Sequence, residues 1–383
     1  MDFRFTEEQE ILRNTVRRFL ENECPREEVR RWDEEGIFPK DLYQKMADLG
    51  WFGLPFPERY GGSQCGVLDF MIVGEELARY SYEIAAGYGL CIFNALNIVE
   101  HGTEEQKEKY IPAVIKNKIR FAISITEPNA GSDAAALSSR AKLEGDSFVI
   151  NGQKTFCSGA NIENTIICMY LRTDPDLPKH KGISLILVEN NLKGMEIRPI
   201  PTLGRRILPA CEIFMDNVEV PKDHLVGEMN KGWKVLLSGL NFERLFTSAG
   251  YVGNAETVLN DALEHAKTRE QFGRPIGSFQ SIGHMLADMQ TELDAARLLV
   301  YRAAWLMDQG LPCTKEVSIA KLFGSEFLVK ATNLGMQIMG GYGYCMEYDM
   351  QRYLRDARIV TVSAGSSQIQ RNIIAREMGL RVV

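Results

Sequence analysis

A chain of 383 residues, 45% hydrophobic and 25% charged, is long enough for two or three ordinary cores. Its net charge of −7 argues against general nucleic-acid binding, which needs clustered basic surface. An anionic ligand stays compatible, because helix N-termini or a few arginines hold anions locally. The eight cysteines contain no C-x-x-C pair and the five histidines are scattered, so buried free thiols are expected and a metal centre is not. Met1-Asp2-Phe3 runs into an acidic amphipathic segment, unlike a leader peptide. Charge interrupts the apolar stretches before the ~18 residues of a membrane span. A soluble, cytoplasmic protein is the expectation.

Thr6-Glu7-Glu8-Gln9 has the pattern of a capping box, and Ile11, Leu12, Val16, Phe19 and Leu20 follow at helical spacing. Further helices are predicted over about 40–50, 67–80, 83–101 and 104–117, with no strand signal among them. The character changes near residue 120. Phe148, Val149 and Ile150 lead into Asn151-Gly152, a dipeptide suited to a type I′ hairpin turn. Thr165–Leu171, Ile183–Glu189 and Cys211–Met215 read as short strands bounded by turn residues. After Gly232 the periodicity is helical again, over about 232–268, 279–309, 314–339 and 367–378. The predicted organisation is a multidomain α and β chain: an N-terminal α-helical domain (1–118), a middle β domain (119–228) and a C-terminal α-helical domain (229–383).

Three segments carry chemistry-bearing residues. In the first, Thr126-Glu127-Pro128-Asn129-Ala130-Gly131-Ser132-Asp133, small residues let backbone amides approach a ligand, although any loop has such a composition. The second, His265 to Gly273, ends a long helix; its basic residues either complement the helix C-terminus or aim a guanidinium at a phosphate. The third, Ala364-Gly365-Ser366-Ser367-Gln368, joins an unusual turn to a helix cap. No G-x-G-x-x-G lies in a βαβ context, so a Rossmann site is not supported.

In order and spacing these segments resemble the acyl-CoA dehydrogenase family, as do Lys154-Thr155-Phe156-Cys157-Ser158-Gly159 and Gln337-Ile338-Met339-Gly340-Gly341. The resemblance spans essentially the whole chain and implies FAD as cofactor. It places Ile123, Ser124, Ile125, Thr126 and Ser132 along the flavin and its pyrophosphate, with Phe156 and Ser158 against the other side of the ring. Arg269, Phe272, Gln280, Gln337, Gly340 and Gly341 are similar to residues that reach the cofactor of a neighbouring subunit, while Ser366 and Gln368 complete the site. It further implies an acyl-CoA substrate, an electron-transferring flavoprotein as electron acceptor, and a homotetramer.

The resemblance also brings a departure. Most members carry a glutamate before the Gly-Ser/Thr of the last segment, where this chain has Ala364, which cannot accept a proton. A subset that includes isovaleryl-CoA dehydrogenases takes its base from a helix after the β domain, and Glu243 in Gly239-Leu240-Asn241-Phe242-Glu243-Arg244 matches it. The residues themselves agree. Glu243 shares a helix face with Leu236, Gly239, Leu240, Phe246, Thr247 and Gly250, an apolar surface where a carboxylate is costly without a task and where desolvation raises its pKa. Asn241, Arg244, Ala364, Gly365 and Ser132 complete the expected substrate contacts. In the loop Leu203-Gly204-Arg205-Arg206, Ile207-Leu208-Pro209-Ala210 replaces the small hydroxyl residues often found next. The expected activity is α,β-dehydrogenation of a short, branched or cyclic acyl-CoA, the space freed at Ala364 favouring width. An enoyl-CoA reductase, an acyl-CoA oxidase and a flavin-binding protein without dehydrogenase activity are the alternatives.

Overall fold

In the computed structural model the Thr6–Gln9 box closes as read: Gln9 N–H donates to Thr6 Oγ1 and Thr6 N–H to Gln9 Oε1, opening α1 (Glu7–Glu23). Residues 4–382 are described; Met1–Phe3, and the reading of the extreme N-terminus with them, lie outside the described residues, as does Val383. Then come α2 (Arg26–Glu35), α3 (Lys40–Asp48), α4 (Val67–Tyr80), α5 (Tyr82–His101) and α6 (Glu104–Ile115). Of these α2 has no counterpart in the sequence reading. Its sequence is almost wholly charged and buries only Val29, Trp32 and Asp33, so no apolar stripe announces it. Conversely, α5 is the one helix among the described residues long and apolar enough to cross a bilayer, despite the expectation drawn from charge spacing. Of its 18-residue apolar window, 78% is buried in the fold, as in a core helix.

Strands β1 (Arg120–Ser124), β2 (Arg140–Glu144), β3 (Ser147–Ser158), β4 (Thr165–Arg172), β5 (Ile183–Glu189), β6 (Met195–Pro199), β7 (Ala210–Pro221) and β8 (Leu225–Val226) form one sheet. Its order is β6-β7-β3-β2-β4-β5-β8, with β1 parallel to β4. Asn151-Gly152 is not a hairpin turn, contrary to the expectation. It lies inside β3 at a register shift against β7, where Gly152 has φ +141° and a Cβ would stand 2.5 Å from Ser139 Oγ. The turn is Gly145-Asp146, which lets Glu144 pair with Ser147. Strand β4 is buried along its whole length, and its alternation serves two cores. Ile167, Met169 and Leu171 face the sheet's own core, while Cys168 and Tyr170 face the helices.

The last third holds α7 (Gly232–Thr268), the short pair β9 (Glu270–Gln271) and β10 (Arg274–Pro275), α8 (Gln280–Asp308), α9 (Thr314–Met339), α10 (Gly341–Tyr344), α11 (Met350–Ala357) and α12 (Ser367–Glu377). Helix α7 packs on α4, α5, α8 and α9, and buries residues all round its central part. Close approach to α4 requires Gly253, where a Cβ would fall 1.9 Å from the Glu75 carbonyl oxygen. All eight cysteines are free, six of them buried.

Candidate active site

The end of β1 and the middle of β3 are drawn together by two bonds. Thr155 N–H donates to the Thr126 carbonyl (3.0 Å), and Cys157 Sγ to the Ile123 carbonyl (3.1 Å). Between them Phe156 adopts φ +59° at a second register shift and is expelled from the sheet, 62% exposed. Beneath, a buried pin fixes the segment: Lys154 Nζ donates to the Ile125 carbonyl (3.1 Å) and to Glu127 Oε1 (2.9 Å). The Glu127 carboxylate also accepts from Ser138 N–H, Ser138 Oγ and Ser139 N–H. Burial pulls Lys154 down to about 8 despite its partner. For Glu127 burial acts upward, but Lys154 and the amides outweigh it and hold the acid at about 2. Sequence reasoning took Lys154 only as part of a resembling motif; Glu127 27 residues away gave no local signal of the pairing. Ser124 is buried with its hydroxyl unpartnered, and Ser132 is exposed on the loop beyond. The bare aromatic face of Phe156, set out from a kinked strand, fits one side of a planar heteroaromatic cofactor.

Glu243 lies on α7, half-buried, and among the described residues its carboxylate accepts no hydrogen bond. Burial raises its pKa; Arg244 and then Lys321 pull it back in part. Arg244 is buried with its Nε unpartnered, and a Cβ on Gly365 would lie 3.6 Å from its Nη2. The Ala364-Gly365 turn thus stands beside α7, both residues with positive φ (+54° and +81°). Lys321 of α9, fully buried, ties this turn down by donating to the carbonyls of Val360 (3.0 Å) and Gly365 (2.8 Å). The Ala364 N–H donates to nothing among the described residues. Ser366 caps α12 through Ile369 N–H, and Gln368 is exposed beside it. The Asn241 amide donates to Thr314 Oγ1 (3.0 Å), so it braces α7 against α9.

The remaining predicted residues gather elsewhere. Arg269 lies over the Tyr342 ring (5.3 Å), which joins the end of α7 to Gly340 and Gly341. Phe272, 94% exposed with φ +55°, makes with Gly273 the two-residue turn between β9 and β10, so the turn with two positive φ values occurs here. Gln280 and Gln337 are also exposed. Arg269 is 26 residues beyond Glu243, about 39 Å along the helix axis. The two groups therefore cannot form one compact pocket within a single chain.

The loop at Gly204–Leu208, left out of the expected site, is held at a junction. Arg205 N–H donates to Asp356 Oδ1 (2.7 Å), Leu208 N–H to Glu83 Oε2 (2.8 Å), and Arg355 to Asp33 (2.6 Å). Oxygens of Asp33, Glu83 and Asp356 lie within 4.8 Å of one another, all buried.

Three family models match the chain: acyl-CoA dehydrogenase N-terminal domain over residues 6–118, middle domain over 122–218 and C-terminal domain over 230–379. The 3-(aryl)acrylate reductase of Clostridium sporogenes is 38% identical over 380 residues, 98% of this chain and 99% of that one. The caffeyl-CoA reductase-Etf complex subunit CarC of Acetobacterium woodii is 38% identical over 97% of this chain and 98% of its own length. The structure of butyryl-CoA dehydrogenase from Megasphaera elsdenii matches with a TM-score of 0.94 and 33% identity, over 99% of this chain and 100% of that one. Together with the helix–sheet–helix order and the cradle at Phe156, these matches establish that the chain belongs to the acyl-CoA dehydrogenase family of FAD-dependent oxidoreductases.

Proposed function

We propose that this protein catalyses α,β-dehydrogenation of a short, branched or cyclic acyl-CoA, with Glu243 as the base that removes the α proton. The observation that carries this is the Glu243 carboxylate itself: half-buried, raised in pKa and without a hydrogen bond among the described residues, near a turn where Ala364 leaves no competing acid. The chemistry FAD supplies when bound is acceptance of the β hydrogen as hydride. The free Ala364 N–H serves as donor to the thioester oxygen, where negative charge develops as the proton leaves. Burial raises the carboxylate's pKa, and the neighbouring charges of Arg244 and Lys321 offset part of that rise. Ile123–Thr126, Ser132, Phe156, Ser158, Ser366 and Gln368 hold the cofactor's flavin half. Arg269, Phe272, Gln280, Gln337, Gly340 and Gly341 hold the nucleotide half of a neighbour's, a reading that the separation of about 39 Å along α7 supports (about 26 residues at 1.5 Å each). A homotetramer exchanging electrons with an electron-transferring flavoprotein belongs to this reading; the CarC relative's naming as part of an Etf complex supports the partner.

The reverse direction is the second reading, favoured by the two relatives named as reductases. The same residues would then return the proton to the α carbon. The test is anaerobic flavin bleaching with isovaleryl-, butyryl- and cyclohexanoyl-CoA on the wild type and on Glu243→Gln. The variant should retain FAD and lose roughly 10²–10⁴ in rate. Normal bleaching by the variant would remove Glu243 from the role, and absence of bleaching by any acyl-CoA in the wild type would remove the dehydrogenation itself.

A further inference from the structure

Helix α12 buries only two of its side chains, Ser367 and Gln370, and both are polar. Gln370 is fully buried, and its Nε2 donates to the carbonyls of Ala364 (3.2 Å) and Gly365 (3.0 Å). Its Oε1 has no hydrogen-bond partner. Turning the amide over would set that oxygen against two carbonyl oxygens, so its orientation is forced. A buried amide oxygen without a partner costs about as much as two neutral bonds return. The fold gains little stability from this arrangement; what it gains is the position of two carbonyls.

Those carbonyls belong to a turn that needs holding. Ala364 has φ +54° and Gly365 φ +81°, and of the two only the glycine takes such an angle without strain. If Ala364 relaxed to the right-handed region, with φ near about −60°, its N–H would swing by roughly 110° relative to the residues that follow. Lys321 Nζ also grips the Gly365 carbonyl (2.8 Å), but among the described residues the Ala364 carbonyl accepts from Gln370 only. The base from which Gln370 reaches is firm: Ser367 N–H donates to the Thr361 carbonyl (2.9 Å), and Ser366 Oγ caps the helix through Ile369 N–H (3.4 Å). A Cβ on Gly365 would stand 2.8 Å from Gln370 Nε2 and 3.6 Å from Arg244 Nη2. Glycine therefore lets the amide reach the turn at the place where the residue next to Glu243 also meets it.

We propose that Gln370 is a positioning residue for the reaction: by holding the Ala364 and Gly365 carbonyls it keeps the Ala364 N–H aimed at the thioester oxygen. This rests on the acyl-CoA reading above, in which that N–H stabilises the charge left when Glu243 takes the α proton. It goes beyond that reading by assigning the donor's aim to a side chain too buried to touch the substrate. A donor displaced or turned away loses its worth where charge develops, in the transition state. Ground-state binding of the thioester draws on many other contacts and changes little. Loss of Gln370 therefore acts on kcat and spares KM.

The test uses the FAD-loaded enzyme and the variants Gln370→Met, which keeps the length and removes the donor, and Gln370→Glu. Burial keeps that glutamate protonated, so it retains a donor for one carbonyl. Anaerobic bleaching by butyryl- and isovaleryl-CoA gives kcat and KM, and the flavin spectrum with crotonyl-CoA gives a ground-state Kd. Acetoacetyl-CoA probes the oxyanion directly: its enolate, stacked on oxidised flavin, gives a long-wavelength band whose pH midpoint reports how well the negative charge is stabilised. Gln370→Met should lose on the order of 10²-fold in kcat, with KM, the crotonyl-CoA Kd and FAD content within about threefold of wild type. The band's midpoint should rise by about one to two pH units, and Gln370→Glu should fall between the two. A kcat within about threefold of wild type, or an unmoved midpoint, overturns the proposal. So does a loss in kcat matched by an equal weakening of crotonyl-CoA binding or by release of FAD, which would make Gln370 a packing residue only. Should Gln370→Met fail to fold, Gln370→Glu decides by the same readouts. Failure of every acyl-CoA to bleach the wild type would instead overturn the acyl-CoA reading, and this proposal with it.

Discussion

Lys321→Met tests whether the turn at Ala364 is held where the chemistry needs it. Burial, with help from Arg244, pulls the Lys321 ammonium from 10.5 to about 8. Keeping it charged near neutrality therefore costs the fold about 3 kcal/mol, at 1.36 kcal/mol per pKa unit. Against this stand two charge-assisted bonds to the Val360 and Gly365 carbonyls, each worth about 1.5–3 kcal/mol. Methionine removes both terms, so global stability should fall by no more than about 3 kcal/mol. The sign of the linkage adds a check. Between about pH 8 and 10.5 the unfolded chain binds more protons than the folded one, so wild-type stability should rise with pH there, and this rise should vanish in the variant. In the site the effect is larger. The Ala364-Gly365 turn, with two positive φ values, loses its tether, and Glu243 loses a neighbouring positive charge that lowers its pKa. The acid limb of kcat/KM against pH should move to higher pH, with FAD content measured in parallel. A limb that stays put or moves lower refutes the coupling between Lys321 and Glu243.

Two further outcomes follow from burial. Glu83 is raised by burial first and by Asp356 next, and one of its oxygens has no partner, so its ionised form destabilises the fold above the unfolded-state pKa. Glu83→Gln should raise stability to urea by about 1–3 kcal/mol at pH 8, with the gain fading as pH falls toward 4 and the acid is protonated in both states. A less stable variant at pH 8 would contradict the reading of the junction. Phe246 is 3% exposed, its ring between Gly74 and Gly89, and Phe246→Ala should cost about 3–5 kcal/mol, read from urea unfolding. A loss below about 1 kcal/mol would show that the ring does not fill the space between the two glycines.

The helices that carry the site were legible because α7, α8 and α9 are long and periodic, and the Thr6 box is a local signal. Glu243 stood out for the same reason: a carboxylate on an apolar helix face is visible in one dimension. Failures occurred where tertiary context decides. Asn151-Gly152 has hairpin chemistry, but β7 takes β3 through it as a bulge. Helix α11 escaped notice because its eight residues bury polar Gln351, Arg352 and Asp356 beside Met350 and Tyr353. Lys154, Lys321, Tyr170 and Asn94 are buried polar groups whose partners, or lack of them, come from strands and helices far away in sequence. Three of the four are lysine or asparagine-type residues that composition alone assigns to the surface.

Helix α7 runs unbroken from Glu243 to its end at Thr268, immediately before Arg269. On the proposed roles of Glu243 and Arg269 it acts as a ruler between two halves of different sites. One residue inserted between them would swing one end by about 100° against the other and lengthen the rod by about 1.5 Å. Two extra turns would restore the facing but displace Arg269 by about 10 Å from whatever it grips. Side chains around Glu243, Ala364 among them, can be exchanged without altering this length. On the proposed roles of Glu243 as base and Arg269 as clamp on a neighbour's cofactor, the spacing between them is closed to insertion and deletion, because each subunit's helix would also set the fit of its neighbour.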